Sequence, residues 1–166
     1  MTTRDAMTNP FDAASDPDRH HIWQRLITAD SDAFAAQDWA GIEADFDPDN
    51  FEGIRCHNSA NPDDWELAFP TLATYRGSWL AAAADFAKKR FVGLTNREAI
   101  YARTRLDRID LHADRALCHK KFSGDLKLVD GSTHTGTRQT LYRLHRQRGA
   151  WKIVGFLGFL PLEAAR

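Results

Sequence analysis

The chain has 166 residues, a formal net charge of −1, and 43% hydrophobic and 27% charged side chains. That length suits one domain with a real core, and the small net charge leaves no global field to draw it to nucleic acid or an anionic membrane. Two cysteines, Cys56 and Cys118, are too few for a disulfide framework and point to a reducing, cytoplasmic setting; no apolar run approaches the roughly 18–20 residues of a membrane span.

Residues 1–17 lack the apolar run of a signal peptide and read as a polar leader open to disorder. Asp16-Pro17-Asp18 marks a helix start: Asp16 can cap, Pro17 suits the first helical position and Asp18 favours the dipole. The spacing of Ile22, Trp23, Leu26, Ile27 and Phe34 predicts a first helix over 17–36. Asp30 falls in the middle of that apolar stripe, where a charge must be paired, hydrogen-bonded or protonated. Asp38 can cap a short second helix through Trp39, Ile42 and Phe46, and a turn at 47–50 leads into a strand over 51–58 and a polar loop over 59–64.

A second long helix is predicted from Leu72, Tyr75, Trp79, Ala83 and Phe86, with Pro70 near its start and Lys88-Lys89-Arg90 near its end. Gly77 leaves a later start at Ser78 open. Strands are then predicted over 99–111, 115–129, 133–146 and 150–160, with turns at Asp114-Arg115, Asp130-Gly131 and Arg148-Gly149. This order is α+β: helices on one face of a strongly curved, mainly antiparallel sheet, with the domain over 18–161 and a tail at 162–166.

Period-two alternation selects Arg138, Thr140, Tyr142 and Leu144 as the inward face of 133–146. In 115–129 it selects Ala116, Cys118, Phe122, Leu126 and Leu128, which turns Lys120 inward as well. The last strand is apolar on both faces, with Val154, Phe156 and Leu160 opposite Ile153 and Leu157. One helical layer cannot cover both, so a homodimer through the outer sheet face is expected.

FAAQDWAGIEADFDPDNFEGI (34–54) and the closing GAWKIVGFLGFLP (149–161) resemble the nuclear transport factor 2-like superfamily, which includes the SnoaL-like polyketide cyclase, ketosteroid isomerase and scytalone dehydratase families. The Asp-Trp at the join of the first two helices and the Gly-x-Trp-Lys-Ile of the last strand carry the resemblance, which spans about 18–161. It implies a cystatin-like cone, a curved sheet wrapped around three helices with a ligand cavity at the open end, usually a homodimer. Aligned through Asp38-Trp39, the isomerases' oxyanion-hole tyrosine falls on Asp30 and their general base at or beside Ile54. The dehydratases' helix-one pair falls on Phe34 and Ala35, their first-strand tyrosine on Ile54, and their two histidines near Tyr101 and Leu126. Neither catalytic set is retained, whereas the cavity-facing sites of the fourth strand fall on Arg138, Thr140 and Tyr142.

Asp30 is therefore the candidate catalytic residue, a general base or polar anchor, with a structural salt bridge to Arg138 or Lys120 as the alternative. The candidate ligand-binding residues are Phe34, Tyr101, Lys120, Phe122, Arg138, Thr140 and Tyr142. Arg138 can hold an anion through its planar fork or simply pair with Asp30. Tyr101 can donate into the cavity or form its wall. No metal, cofactor or phosphate-binding motif is present, so no cofactor is expected. Three functions stay open: a cyclase-, isomerase- or dehydratase-type enzyme acting by proton transfer, a non-catalytic module for a small apolar or weakly anionic molecule, or a structural dimer with a packed cavity.

Overall fold

A computed structural model describes residues 7–162; residues 1–6 of the polar leader and 163–166 of the tail lie outside that range. The rest of the leader is tied down. The Asn9 side chain donates to the His20 carbonyl and Phe11 packs on the core.

Helix α1 runs over 17–36 as expected, but not as one regular helix. Pro17–Trp23 and Asp30–Ala36 are α-helical and Gln24–Ala29 forms a π turn between them. Asp16 does not cap; its carboxylate pairs with Arg19, while Asp18 accepts from Trp151 and Arg146 of the sheet. The helix stops at Gln37, a left-handed residue after which the Asp38 amide reaches back to the Ala33 carbonyl, the usual glycine position filled by glutamine. Two short 3₁₀ turns, Trp39–Gly41 and Glu43–Asp45, replace the expected second helix.

Strand β1 (Glu52–Arg55) and strand β2 (Glu66–Phe69), the latter not anticipated, form a hairpin around a 3₁₀ turn at Pro62–Asp64. Helix α2 (Leu72–Ala87) starts at the earlier of the two positions, fixed by a capping box between Thr71 and Thr74.

The largest departure follows. The predicted strand over 99–111 is helix α3 (Asn96–Arg103), then short strands β3 (Thr104–Arg105) and β4 (Ile109–His112). Thr95 and Glu98 close a capping box, a local signal that outweighs the alternation read across residues 99–105. The predicted strand over 115–129 divides at Gly124 into β5 (Arg115–Phe122) and β6 (Leu126–Lys127). The one over 133–146 divides at Gly136 into β7 (Thr133–His134) and β8 (Arg138–Gln147). Strand β9 (Ala150–Pro161) closes the chain.

The main sheet has the order β2-β1-β9-β8-β5-β3, with β4 also on β5; β1–β9 is parallel and the other pairs are antiparallel. β6 and β7 form a separate hairpin, held to residues 90–94 by backbone bonds from Val92 to Lys127 and from Val129 to Arg90. The three helices lie on the inner face of the curved sheet. Tyr75 is the hub of an aromatic cluster there, touching the rings of Trp39, Phe46, Phe51, Phe69 and Phe156 at centroid distances of 4.9–5.9 Å. Such pairs add about 0.5–1.5 kcal/mol each beyond area burial.

The expected inward faces of β5 and β8 hold: Ala116, Cys118, Lys120, Thr140, Tyr142 and Leu144 are buried. Strand β9 differs. Leu144 pairs with Ile153 but Arg143 pairs with Gly155, so Val154 is the extra residue of a β-bulge. The bulge switches the phase, and Ile153 and Phe156 both enter the core. The outer face instead carries the aligned row Ile54, Leu157 and Leu141. Among the described residues no helix is long and apolar enough to cross a membrane.

Candidate functional site

The π turn sets the chemistry of the cone interior. In a regular α-helix the Asp30 amide would bond to the Leu26 carbonyl four residues back. Here it turns to the Arg25 and Ile27 carbonyls, and the Leu26 carbonyl is left facing the sheet. Lys120, on strand β5 next to β8, fills the gap: its Nζ donates to the Leu26 oxygen at 2.6 Å and to Asp30 Oδ2 at 2.6 Å. The ammonium is buried, with the Phe122 and Tyr142 rings 5.7 and 6.0 Å from it. Of the two partners considered for Asp30, the structure selects Lys120 and not Arg138.

Tyr142, two positions along β8 from the strand partner of Lys120, brings its hydroxyl against that of Tyr75 on α2. Burial first, and the nearby Asp30 carboxylate as well, hold both hydroxyls far above the ordinary tyrosine range. They remain neutral hydrogen-bonding groups at any physiological pH. Asp30, Tyr75 and Tyr142 border a void of about 10 Å³, closed by Leu26, Ile42, Phe46 and Ile153, which is room for about one water. Arg25 and Asp45 lie across its outer end, the arginine Nε donating to both carboxylate oxygens at 2.8 and 3.0 Å and its Nη2 to the Gly41 carbonyl. The arrangement can present a carboxylate and two tyrosine side chains to one small polar group, with the Lys120 ammonium behind the carboxylate. The ammonium engages Oδ2 of Asp30, and Oδ1 is the carboxylate oxygen left without a side-chain donor among the described residues.

The other candidates separate. Thr140 is buried beside Lys120, its side chain against Gly158. Phe122 sits two register positions further out, opposite Arg138. Phe34 packs on Trp79 and Phe86 between α1 and α2. Tyr101 does not join the group: it lies on α3 and donates to Asp32 Oδ1 at 2.9 Å, beneath the Arg97 guanidinium. Burial, then this bond, push its hydroxyl up to about 12. The expected strand phase failed because the segment is helical. Arg138 stands apart at the outer end of β8, over the Phe159 ring. The residues not foreseen are Tyr75, hidden in the apolar stripe of α2 where an aromatic reads as core, and Arg25. The free Leu26 carbonyl has no sequence signature.

Solved structures share this architecture at low identity. A protein from Pseudomonas putida described as NTF2-like and of unknown function is 16% identical over 82% of this chain and 82% of its own, with a TM-score of 0.55. A domain of unknown function with a cystatin-like fold from Nostoc punctiforme is 15% identical over 89% and 79%, with a TM-score of 0.57. An NTF2-like superfamily protein from Salmonella enterica is 14% identical over 87% and 92%, with a TM-score of 0.54. The chain has the nuclear transport factor 2-like fold. The first-strand position aligned with the isomerase base clarifies one point: Gly53, whose Cα faces the Phe156 ring, is the inward residue, and Ile54 lies on the outer side. No family profile matches the chain and no curated protein matches it.

Proposed function

We propose that this nuclear transport factor 2-like protein binds a small molecule, apolar or weakly anionic, within the cone of a single domain spanning about 18–161, and that Asp30 is a fixed polar anchor there. The observation that carries this reading is the contact between Asp30 and the buried Lys120 at 2.6 Å, set beside two neutral tyrosine hydroxyls in an otherwise aromatic interior. A base must accept a substrate proton, and Asp30 has one oxygen held by a buried ammonium and only Oδ1 left to offer. The geometry therefore favours the binding module over a cyclase-, isomerase- or dehydratase-type enzyme. A ligand larger than a water would enter by displacing the Arg25–Asp45 pair or by turning Tyr75.

Mass spectrometry of the protein released from gently purified material tests this. A stoichiometric organic molecule, reduced in the Tyr142→Phe variant, is expected; a clean chain with no thermal response to a panel of apolar and weakly anionic compounds would overturn it. We extend the proposal to a cytoplasmic homodimer. The outer row Ile54, Leu157, Leu141 supports it. Both cysteines are buried and unpaired, in keeping with a reducing compartment. Sedimentation at micromolar concentration should show a dimer that Leu141→Lys converts to monomer.

A further inference from the structure

The wide end of the cone holds an arginine with nothing to bind. Arg138 lies with its guanidinium carbon 3.8 Å from the centre of the Phe159 ring and 5.7 Å from that of Phe122. Its Nε is fully buried and makes no hydrogen bond, and no ion pair joins it to a carboxylate among the described residues. Stacking on a ring engages the face of a guanidinium and does nothing for its in-plane N–H donors, of which Nε is here shut off from water as well.

The neighbours are also positive. Arg103 donates Nε to the Gly124 carbonyl, Nη2 to the Gly136 carbonyl and Nη1 to His134 Nε2. A guanidinium only donates, so His134 accepts through Nε2 and carries its proton on Nδ1. Burial, then the charges of Arg103, Lys89 and Arg138, hold His134 below the usual histidine range and keep it in this neutral form. Burial and Arg103 likewise lower Arg138. Asp125 acts on Arg103, while the ionisable group acting on Arg138 is another cation.

We infer that Arg138, stacked between Phe159 and Phe122 with its Nε buried and unpartnered, recognises one oxyanion, a carboxylate or phosphate group, on the ligand. An oxyanion supplies the in-plane acceptors that Arg138 lacks and offsets the excess of positive charge. Phe122 is half-buried and Phe159 is 38% exposed, so the two rings beside the guanidinium leave apolar surface within reach of the body of an organic acid. The inference rests on the ligand-binding reading and names the charged end of that ligand.

Calorimetric titration at constant ionic strength tests it with three probes: sodium benzoate, its neutral counterpart benzamide, and inorganic phosphate. Saturable benzoate binding is expected, weakened at least about tenfold in Arg138→Gln, the scale of a lost charge-assisted bidentate contact. Arg138→Lys keeps the charge without the fork and should recover only part of it. Arg97→Gln, at an exposed pair with Asp32, should bind as wild type, and circular dichroism confirms that each variant is folded. If benzoate and benzamide bind alike and neither Arg138 variant changes them, the oxyanion site is overturned while the binding module stands. If neither benzoate nor phosphate binds saturably, the oxyanion site is overturned and the copurified molecule alone decides the wider reading.

Discussion

Lys120 is buried more deeply than Asp30, the carboxylate 2.6 Å away: 2% of the lysine side chain is exposed against 25% of the aspartate. The asymmetry sets the order of mutational effects. Asp30→Asn strands a dry ammonium and should cost about 3 kcal/mol or more. Lys120→Met leaves a carboxylate that water can reach, and its main cost is the unpaired Leu26 carbonyl, about 1–3 kcal/mol. The double variant should be more stable than Asp30→Asn alone. Urea unfolding of the three proteins checks this, and a loss below about 0.5 kcal/mol for Asp30→Asn, within the range of ordinary surface changes, would return Asp30 to candidacy as a base.

The three tyrosines of the chain, Tyr75, Tyr101 and Tyr142, are all held above their ordinary value of 10.0, Tyr101 at about 12 and Tyr75 and Tyr142 raised by their burial. The sign follows from proton counting. Above pH 10 the unfolded chain loses tyrosine protons that the folded chain keeps, so stability is complete below pH 10 and falls as pH rises through about 12. Absorbance at 295 nm should therefore show no tyrosine ionising near pH 10 in the native protein, and a joint release on unfolding. A one-tyrosine step near pH 10 would show that one hydroxyl is not buried as described.

Two glycines should respond oppositely to alanine. Gly77 is exposed in the middle of α2 with nothing within 4 Å of an added methyl, so Gly77→Ala should gain about 0.5–1 kcal/mol from helix propensity. At Gly155 the methyl would meet the Glu52 carbonyl at 2.5 Å and the Arg143 guanidinium at 2.6 Å. The carbonyl belongs to the parallel β1–β9 pair and cannot yield cheaply, and Gly155→Ala should lose about 1–3 kcal/mol. Melting curves of both variants are sufficient.

Arg103 fastens both feet of the β6–β7 hairpin, through Gly124 and Gly136. Arg103→Met should free the hairpin without melting the sheet. Hydrogen exchange should accelerate at Val92, Val129 and Ser123, whose amides are bonded across this junction, and stay slow along β5 and β8. Uniform acceleration would mean that Arg103 supports the whole fold.

Legibility in the sequence followed range. The first helix, the long second helix, the inward face of β8 and the inward turn of Lys120 were readable because each rests on a period within one element. Asp30 stood out for the same reason, and its partner was one of two basic residues on inward phases. Tyr101 was misplaced because a run of alternating residues was weighed without the Thr95–Glu98 capping box just before it. The phase reversal at Val154 depends on the register between two strands, which no single-strand pattern contains. The emptied Leu26 carbonyl depends on backbone geometry that side-chain spacing does not encode.

The π turn also bears on how relatives of this chain should be aligned. A π turn carries one residue more than the α-helical turn it replaces. Deleting any single residue from 24–29 would restore the regular ladder and leave the two ends of α1 in nearly the same phase, because the wider π turn already absorbs the extra residue. The deletion would also hand the Leu26 carbonyl back to a backbone amide, evicting Lys120 from one of its two bonds. A homologue aligned with a one-residue gap here should therefore have lost the lysine too, so that gap and cation vary together as a single inherited character.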